Sequence, residues 1–257
     1  MNKDRWHIYD QLLATVPDND RVERIHLGDY WLMLETSRKV YGLAQNVPGT
    51  VEADLDEYVG RPLNEIAALV KSWNFFEASL GLAAINAHLN SRKSLDDLHN
   101  PSAAVNGDAF DLFMNGVNDK RVAVVGHFPY LEKLRPKCRS LIILERTPRE
   151  GDLPDTAAEY VLPEQDMVFI TSTTFINKSL PRLLELCEKA KVAMVGPSTP
   201  MAPLLFDHGV DALSGLVLAD PVKISGVIRK SGTCIGLFAD GVEKVNLTKI
   251  NALSSGV

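Results

Sequence analysis

Arg121-Val-Ala-Val-Val-Gly-His-Phe-Pro129 opens the part of the chain that decides the fold. An apolar run, Val122–Val125, ends on a glycine and then on residues that carry rings and polar atoms. Runs of the same kind recur at Leu141–Leu144, Met167–Ile170, Val192–Val195 and Leu216–Leu218, with helical patterns between most of them. Continuous apolar runs mark strands buried on both faces. Strands alternating with helices build right-handed β-α-β units and a parallel sheet. Residues 119–257 therefore read as a Rossmann-like open sheet. The tail from Ser231 is expected to add an antiparallel edge, Thr233–Phe238 and then Val242–Leu247 across Asp240-Gly241.

Upstream the pattern differs. Residues 4–15 read as a helix with Leu12 and Leu13 on its apolar stripe. Val22–Leu27, Tyr30–Thr36 and Lys39–Ala44 read as three short strands, with turns at Gly28-Asp29 and Ser37-Arg38. Pro62 opens a helix reaching Trp73, with Ile66, Leu69 and Val70 at helical spacing. A second helix covers 77–90, with Ala78, Leu82, Ile85 and Leu89 on one face. Residues 1–95 thus form an α+β domain. The Asn-, Asp-, Ser- and Gly-rich stretch 96–118 is the linker, broken by an amphipathic piece at Phe110–Met114. Trp31, Trp73, Phe75 and Phe76 are read as core or interface residues of the first domain, with core the preferred place.

Composition limits the function classes. Of 257 residues, 46% are hydrophobic and 23% charged, which suits a globular core and argues against long disorder. A net charge of −6 disfavours nucleic acid or an anionic membrane as the main partner. Neither a signal-peptide run nor a membrane-spanning run is present, so a soluble, cytoplasmic protein is expected. Cys138, Cys187 and Cys234 are far apart and form no Cys-x-x-Cys pair. That favours a reducing compartment and argues against a disulfide framework or a structural zinc site. No metal ligand set is assigned, and the sequence names no cofactor. The expected partner is a small molecule, and self-association into a homo-oligomer is left open.

Ligands of open parallel sheets bind beyond the carboxyl ends of the strands. The first end is Gly126-His127-Phe128. Gly126 permits a tight turn or a close ligand approach, but Gly-x-Gly-x-x-Gly is absent. His127 is either an acid–base group or a turn histidine bonded to backbone. The second end is Glu145, nineteen residues after Gly126. It either accepts hydroxyls of a ligand, as ribose is held in nucleotide-binding sheets, or is an ordinary strand-end acid. The third is Thr171-Ser172-Thr173-Thr174 with Asn177. These residues either hold an anionic group at a helix start or cap the helix, although Ser179 already offers a cap. The fourth is Gly196-Pro197-Ser198-Thr199-Pro200, which lines a pocket or simply stiffens a connection before a helix ending near His208-Gly209. From the first domain, Asn86 lies beside the apolar face of its helix. It bonds a ligand, the second domain or nearby backbone. Gly81 in that helix implies close packing.

Five stretches together resemble a known family: Gly81-Leu-Ala-Ala-Ile-Asn-Ala87, Val124-Val-Gly-His-Phe-Pro129, Ile143-Leu-Glu-Arg146, Thr171–Thr174 with Asn177, and Gly196-Pro-Ser-Thr-Pro200. Their order and spacing are similar to the family of unknown function called "putative heavy-metal chelation", and the resemblance covers nearly the whole chain. It implies an enolase-N-terminal-like α+β domain followed by a Rossmann-like domain, with a site between them. It also implies condensation or hydrolysis in making pterin, flavin or siderophore-like chelators.

Three functions follow as expectations. The first is an enzyme for a small polar substrate, with Glu145 and His127 in proton transfer or orientation. The substrate would be held by Gly126, Phe128, Thr171, Ser172, Thr173, Thr174, Asn177, Gly196, Pro197, Ser198, Thr199 and Asn86. The second is a non-catalytic binder of a metal or metal chelate. The third is a nucleotide- or S-adenosylmethionine-dependent enzyme. No Gly-x-Ser-x-Gly or His-Glu-x-x-His motif is present, so neither a hydrolase triad nor a zinc protease is supported.

Overall fold

The computed structural model describes residues 4–47, 54–98, 105–106, 116–128, 131–230 and 240–249. Helix α1 (His7–Thr15) buries Ile8, Tyr9 and Leu12, starting three residues later than expected. Strands β1 (Val22–Leu27), β2 (Trp31–Thr36) and β3 (Tyr41–Gln45) form the antiparallel meander read from the sequence. Helix α2 (Leu63–Ala68) and a 3-10 turn (Leu69–Lys71) precede α3 (Phe75–Leu89) and the short α4 (Arg92–Asp96).

The sequence suggests one apolar face on α3, but the helix is buried almost all round, from Phe76 to Ala87. It packs on the small sheet so tightly that a Cβ on Gly42 would lie 1.9 Å from the Ala83 carbonyl oxygen. A Cβ on Gly81 would lie 2.1 Å from the Val70 amide nitrogen, so the helical glycine does serve close packing. Of the first-part aromatics, Trp31 and Phe76 are buried, whereas Trp73 is 70% exposed.

Among the described residues the second sheet has eight strands. In chain order they are β4 (Val105–Asn106), β5 (Arg121–Val125), β6 (Ser140–Glu145), β7 (Leu153–Pro154), β8 (Met167–Thr171), β9 (Lys191–Val195), β10 (Ala212–Leu218) and β11 (Val242–Thr248). Their spatial order is β4-β11-β10-β9-β8-β5-β6-β7. The run from β10 to β7 is parallel, while β11 and β4 are antiparallel additions. Among the described residues its helices are α5 (Ala158–Val161), α6 (Thr173–Ile176), α7 (Leu180–Leu186) and α8 (Pro221–Arg229). The protein is thus a mixed α/β fold with one large, mostly parallel sheet and one small antiparallel sheet.

Three details differ from the reading of the sequence. Strand β10 begins at Ala212, because Ser214 and Gly215 interrupt the apolar run that would have revealed it. Strand β11 pairs with β10 as an antiparallel strand but is not outermost, since β4 lies beyond it. Among the described residues, β5 and β6 are joined by a 3-10 turn (Leu131–Lys133) and not by an α-helix. The expected strand Thr233–Phe238, the piece Phe110–Met114, Pro129 and Cys234 lie outside the described residues.

The two sheets share their packing. Leu32, Leu34 and Ala44 join a core that also holds Leu82, Phe175 and Met201. Trp31, Met33 and Leu43 pack instead with Leu216, Ile224 and Ile228 from the second part. Strand β2 is therefore covered on both faces, and all six of its residues are buried. Polar bonds follow the same route. Asn86 Nδ2 donates to the Leu43 carbonyl at 2.8 Å and to the Ser198 carbonyl at 2.9 Å. Asn90, one turn later, donates to the Thr199 carbonyl at 2.8 Å and accepts from the Met201 amide at 2.9 Å.

The amino ends of the parallel strands are pinned by aspartates. The Asp166 carboxylate accepts the Arg121 amide at 2.8 Å and the Arg121 guanidinium at 2.9 Å. Asp211 likewise accepts the Val192 amide at 2.8 Å. The bonds from Arg121 hold the Asp166 carboxyl down at about 2. An unfolded aspartate titrates at about 3.9. The folded value is depressed, so this stabilisation is fully present above about pH 4 and is lost as pH falls through about 2.

Two expectations follow. In Asp166→Asn the melting temperature falls at neutral pH, and the gap from wild type closes between about pH 4 and pH 2 in a thermal-melt series. Asn86→Ala strips a donor from two buried carbonyls. It should cost about 2–3 kcal/mol in urea unfolding, with an unchanged far-UV spectrum.

Candidate functional site

The chain leaves β5 on one side to build β6 and β7, then returns to place β8 on the other side. This is a topological switch point, where open parallel sheets leave a crevice beyond their carboxyl ends. A cavity of about 420 Å³ opens there. Four strand ends line it: Gly126, His127 and Phe128 after β5, Glu145 at the end of β6, Thr171–Thr174 with Asn177 after β8, and Gly196, Pro197 and Ser198 after β9. The first part closes another wall with Trp31, Gln45 and Val47, and β10 adds Ser214, Gly215 and Leu216.

Asn86 and Thr199 do not line the cavity. Both are fully buried behind its wall. The Asn86 amide is spent on the carbonyls of Leu43 and Ser198, so it holds the Gly196–Met201 loop from behind. The loop is held from the front by Ser198, whose Oγ accepts the Gln45 amide at 2.8 Å.

The turns at the strand ends depend on glycine. Gly126 has φ of 102° and Gly196 has φ of 135°. Side chains rarely adopt these values, and a Cβ on Gly126 would press on Thr171 at 3.0 Å. The hydroxyl run after β8 is largely self-satisfied. Thr171 and Thr173 share a bond of 2.9 Å between their Oγ1 atoms, and Thr174 Oγ1 donates to the Thr171 carbonyl at 2.6 Å. Ser179 makes no side-chain cap bond, contrary to expectation. Asn177 Oδ1 instead accepts its amide at 3.0 Å and its hydroxyl at 2.6 Å. Helix α6 has only four residues, so the expected anion site at a helix start loses most of its dipole.

The ionisable groups are unevenly placed. Glu145 Oε1 accepts the Arg146 amide at 2.7 Å. The Arg146 guanidinium lies 3.5 Å from Asp155 and 5.9 Å from the Phe75 ring centre. Arg146, Asp155 and Lys244 all reach the cavity lining. His127 Nδ1 lies 3.4 Å from Asp152 Oδ2, with the Asp152 side chain only 3% exposed. The buried indole N–H of Trp31 has no partner among the described residues. Sequence reasoning missed Trp31, Gln45, Val47, Asp152, Asp155 and Lys244. All but Asp155 lie before a strand's end or in other elements, outside the strand-end rule.

Direct metal chelation finds no support in these side chains. Among the described residues, no three His, Cys, Asp or Glu side chains cluster where they could hold an ion. Burial pushes the Cys187 thiol up to about 12 and raises that of Cys138. A thiol must be deprotonated to ligate, so neither is a ready ligand. No helix among the described residues is long and apolar enough to cross a membrane.

Two family models match, both described as "Putative heavy-metal chelation": DUF4213 over residues 9–89 and DUF364 over residues 108–247. An uncharacterized protein of Methanocaldococcus jannaschii is 30% identical over 211 residues, covering 76% of each chain. A crystal structure of a DUF364-family protein of unknown function from Desulfitobacterium hafniense is 37% identical, with a TM-score of 0.86. It covers 95% of this chain and 99% of that one. A DUF364-family structure from Pyrococcus horikoshii is 21% identical, with a TM-score of 0.76 and the same coverage, and shares the fold. With one family model matching more than half of its length and a relative matching three quarters of it, this chain belongs to the DUF364 family.

Proposed function

We propose that this protein is an enzyme acting on a small polar molecule held at the switch point, between an enolase-N-terminal-like part and a Rossmann-like part. The reaction class is condensation or hydrolysis, and the substrate is pterin-like, flavin-like or a siderophore-like chelator. The observation that carries this reading is the convergence of four strand ends on one cavity. Its volume of about 420 Å³ is within the usual range for small-molecule sites. Trp31 and Phe128 are the aromatic residues of its lining, and hydroxyls of Thr171–Thr174 and Ser214 border it. Glu145 and His127 share the same cavity and are the groups for proton transfer or orientation.

The family's link to heavy metals then enters through the substrate. With no donor cluster among the described residues, a metal would arrive bound to a chelator or be bound by the product. Nucleic acid and membrane are not partners in this reading, and the acidic chain works in the cytoplasm. The family description favours a second reading, in which the same cavity carries a metal–chelate complex without changing it.

A thermal-shift screen with pterins, flavins, S-adenosylmethionine, nucleotides, divalent metals and metal chelates tests both. A ligand at about a hundred times its Kd should raise Tm by roughly 5–10 °C. Glu145→Ala should remove most of that rise while leaving the unliganded Tm within a few degrees. A shift with an organic ligand, followed by its turnover, supports the enzyme. Binding without turnover supports the carrier. A shift with free metal alone sinks both.

A further inference from the structure

We propose that Asp152 is a positioning residue for His127, and that the pair leaves His127 Nε2 as the atom that takes and returns a proton in the cavity. The inference rests on the small-molecule reading of that cavity and adds a residue that no strand-end rule selects.

His127 follows the glycine turn of β5, and its ring lines the cavity. Its Nδ1 is wholly buried, and no described group makes a well-formed hydrogen bond to it. The nearest acceptor is Asp152 Oδ2, at 3.4 Å. That distance is long for a finished bond, as acid–base contacts often are before a substrate tightens them. Asp152 is itself nearly inaccessible, and its Oδ2 already accepts the Arg149 amide at 3.0 Å. A buried carboxylate needs donors on its oxygens, and a protonated Nδ1 is the donor within reach.

The chain places Asp152 here by design of the neighbouring elements. Gly151, at φ of 89°, turns the loop back toward the sheet. Leu153 then pairs with Leu144 in β7, which fixes Asp152 beside the end of the sheet. Strand β7 has only two residues, and holding this loop in register gives it a purpose.

The chemistry follows from the tautomer. An acceptor at Nδ1 keeps the proton there, so the lone pair of the neutral ring sits on Nε2. A substrate O–H or N–H can pass its proton to Nε2. The imidazolium so formed is stabilised by the adjacent carboxylate, and the proton then returns to the leaving group or product. No redox partner or co-reactant is required for this transfer.

The test needs no ligand. The full chain is labelled with 15N-histidine, and long-range 1H–15N spectra are recorded at about pH 8, where a free imidazole is neutral. His127→Gln assigns the resonances. The expected spectrum shows Nδ1 protonated and Nε2 bare. In Asp152→Asn the ratio of this tautomer to the other should fall about tenfold, because a charge-assisted acceptor becomes a neutral one. A predominantly Nε2–H ring in the wild type overturns the proposal, and so does a ratio unchanged by the substitution. Should Asp152→Asn fail to fold, the wild-type spectrum decides alone. The expected tautomer in a protein that binds nothing in the ligand screen would sink the substrate reading and keep the pair. The opposite tautomer in a protein that does bind would sink the pair alone.

Discussion

Helix α3 is enclosed, and the amide N–H groups of Asn86 and of Asn90, which caps its end, find their acceptors inside the protein. Asn86 and Asn90 lie one turn apart on a helix with almost no solvent-facing side. Buried amides are costly unless bonded. The loop after β9 has the complementary need, since Pro197 and Pro200 donate nothing and its carbonyls require donors. The two needs meet where Asn86 donates to the Ser198 carbonyl and Asn90 to the Thr199 carbonyl, while the Met201 amide donates back to Asn90. Everything around the cavity depends on this match. It fixes the β9 loop against the first part and seats β3 beside Ser198.

Much of the fold was legible because burial writes plainly into sequence. Strands β5, β6, β8 and β9 lie inside the sheet and are covered on both faces, so their runs are unbroken. Strand β10 was shortened in the reading because Gly215 must stay small. A Cβ there would lie 2.7 Å from the Met201 sulfur. The apolar residues of α3 suggest one face, but the helix is enclosed by the small sheet, by α2 with its 3-10 turn and by α6, none of which its own sequence announces. The short β4 and β7 have too few residues to leave any pattern.

The cavity was half legible for a related reason. Strand ends can be listed from the sequence, and the residues at those of β5, β6 and β8 all reach the lining. What arrives from other elements cannot be listed so. Trp31 comes from a meander more than ninety residues earlier, and Asp152, which stands behind His127 and not in the lining, from a loop held by a two-residue strand. Asn86 and Thr199 show the opposite failure. Both are polar residues in the right neighbourhood, yet backbone partners or tight burial withdraw them from the ligand space. Ser179 illustrates the same competition on a smaller scale, because Asn177 satisfies it before it can cap α7.

The large sheet ends on β4 at one margin and β7 at the other, each two residues long. Long open margins invite a strand from another molecule to add on, which leads toward fibrils. Here one margin carries Pro154, which has no amide hydrogen to offer, so a strand adding beside β7 meets a missing donor.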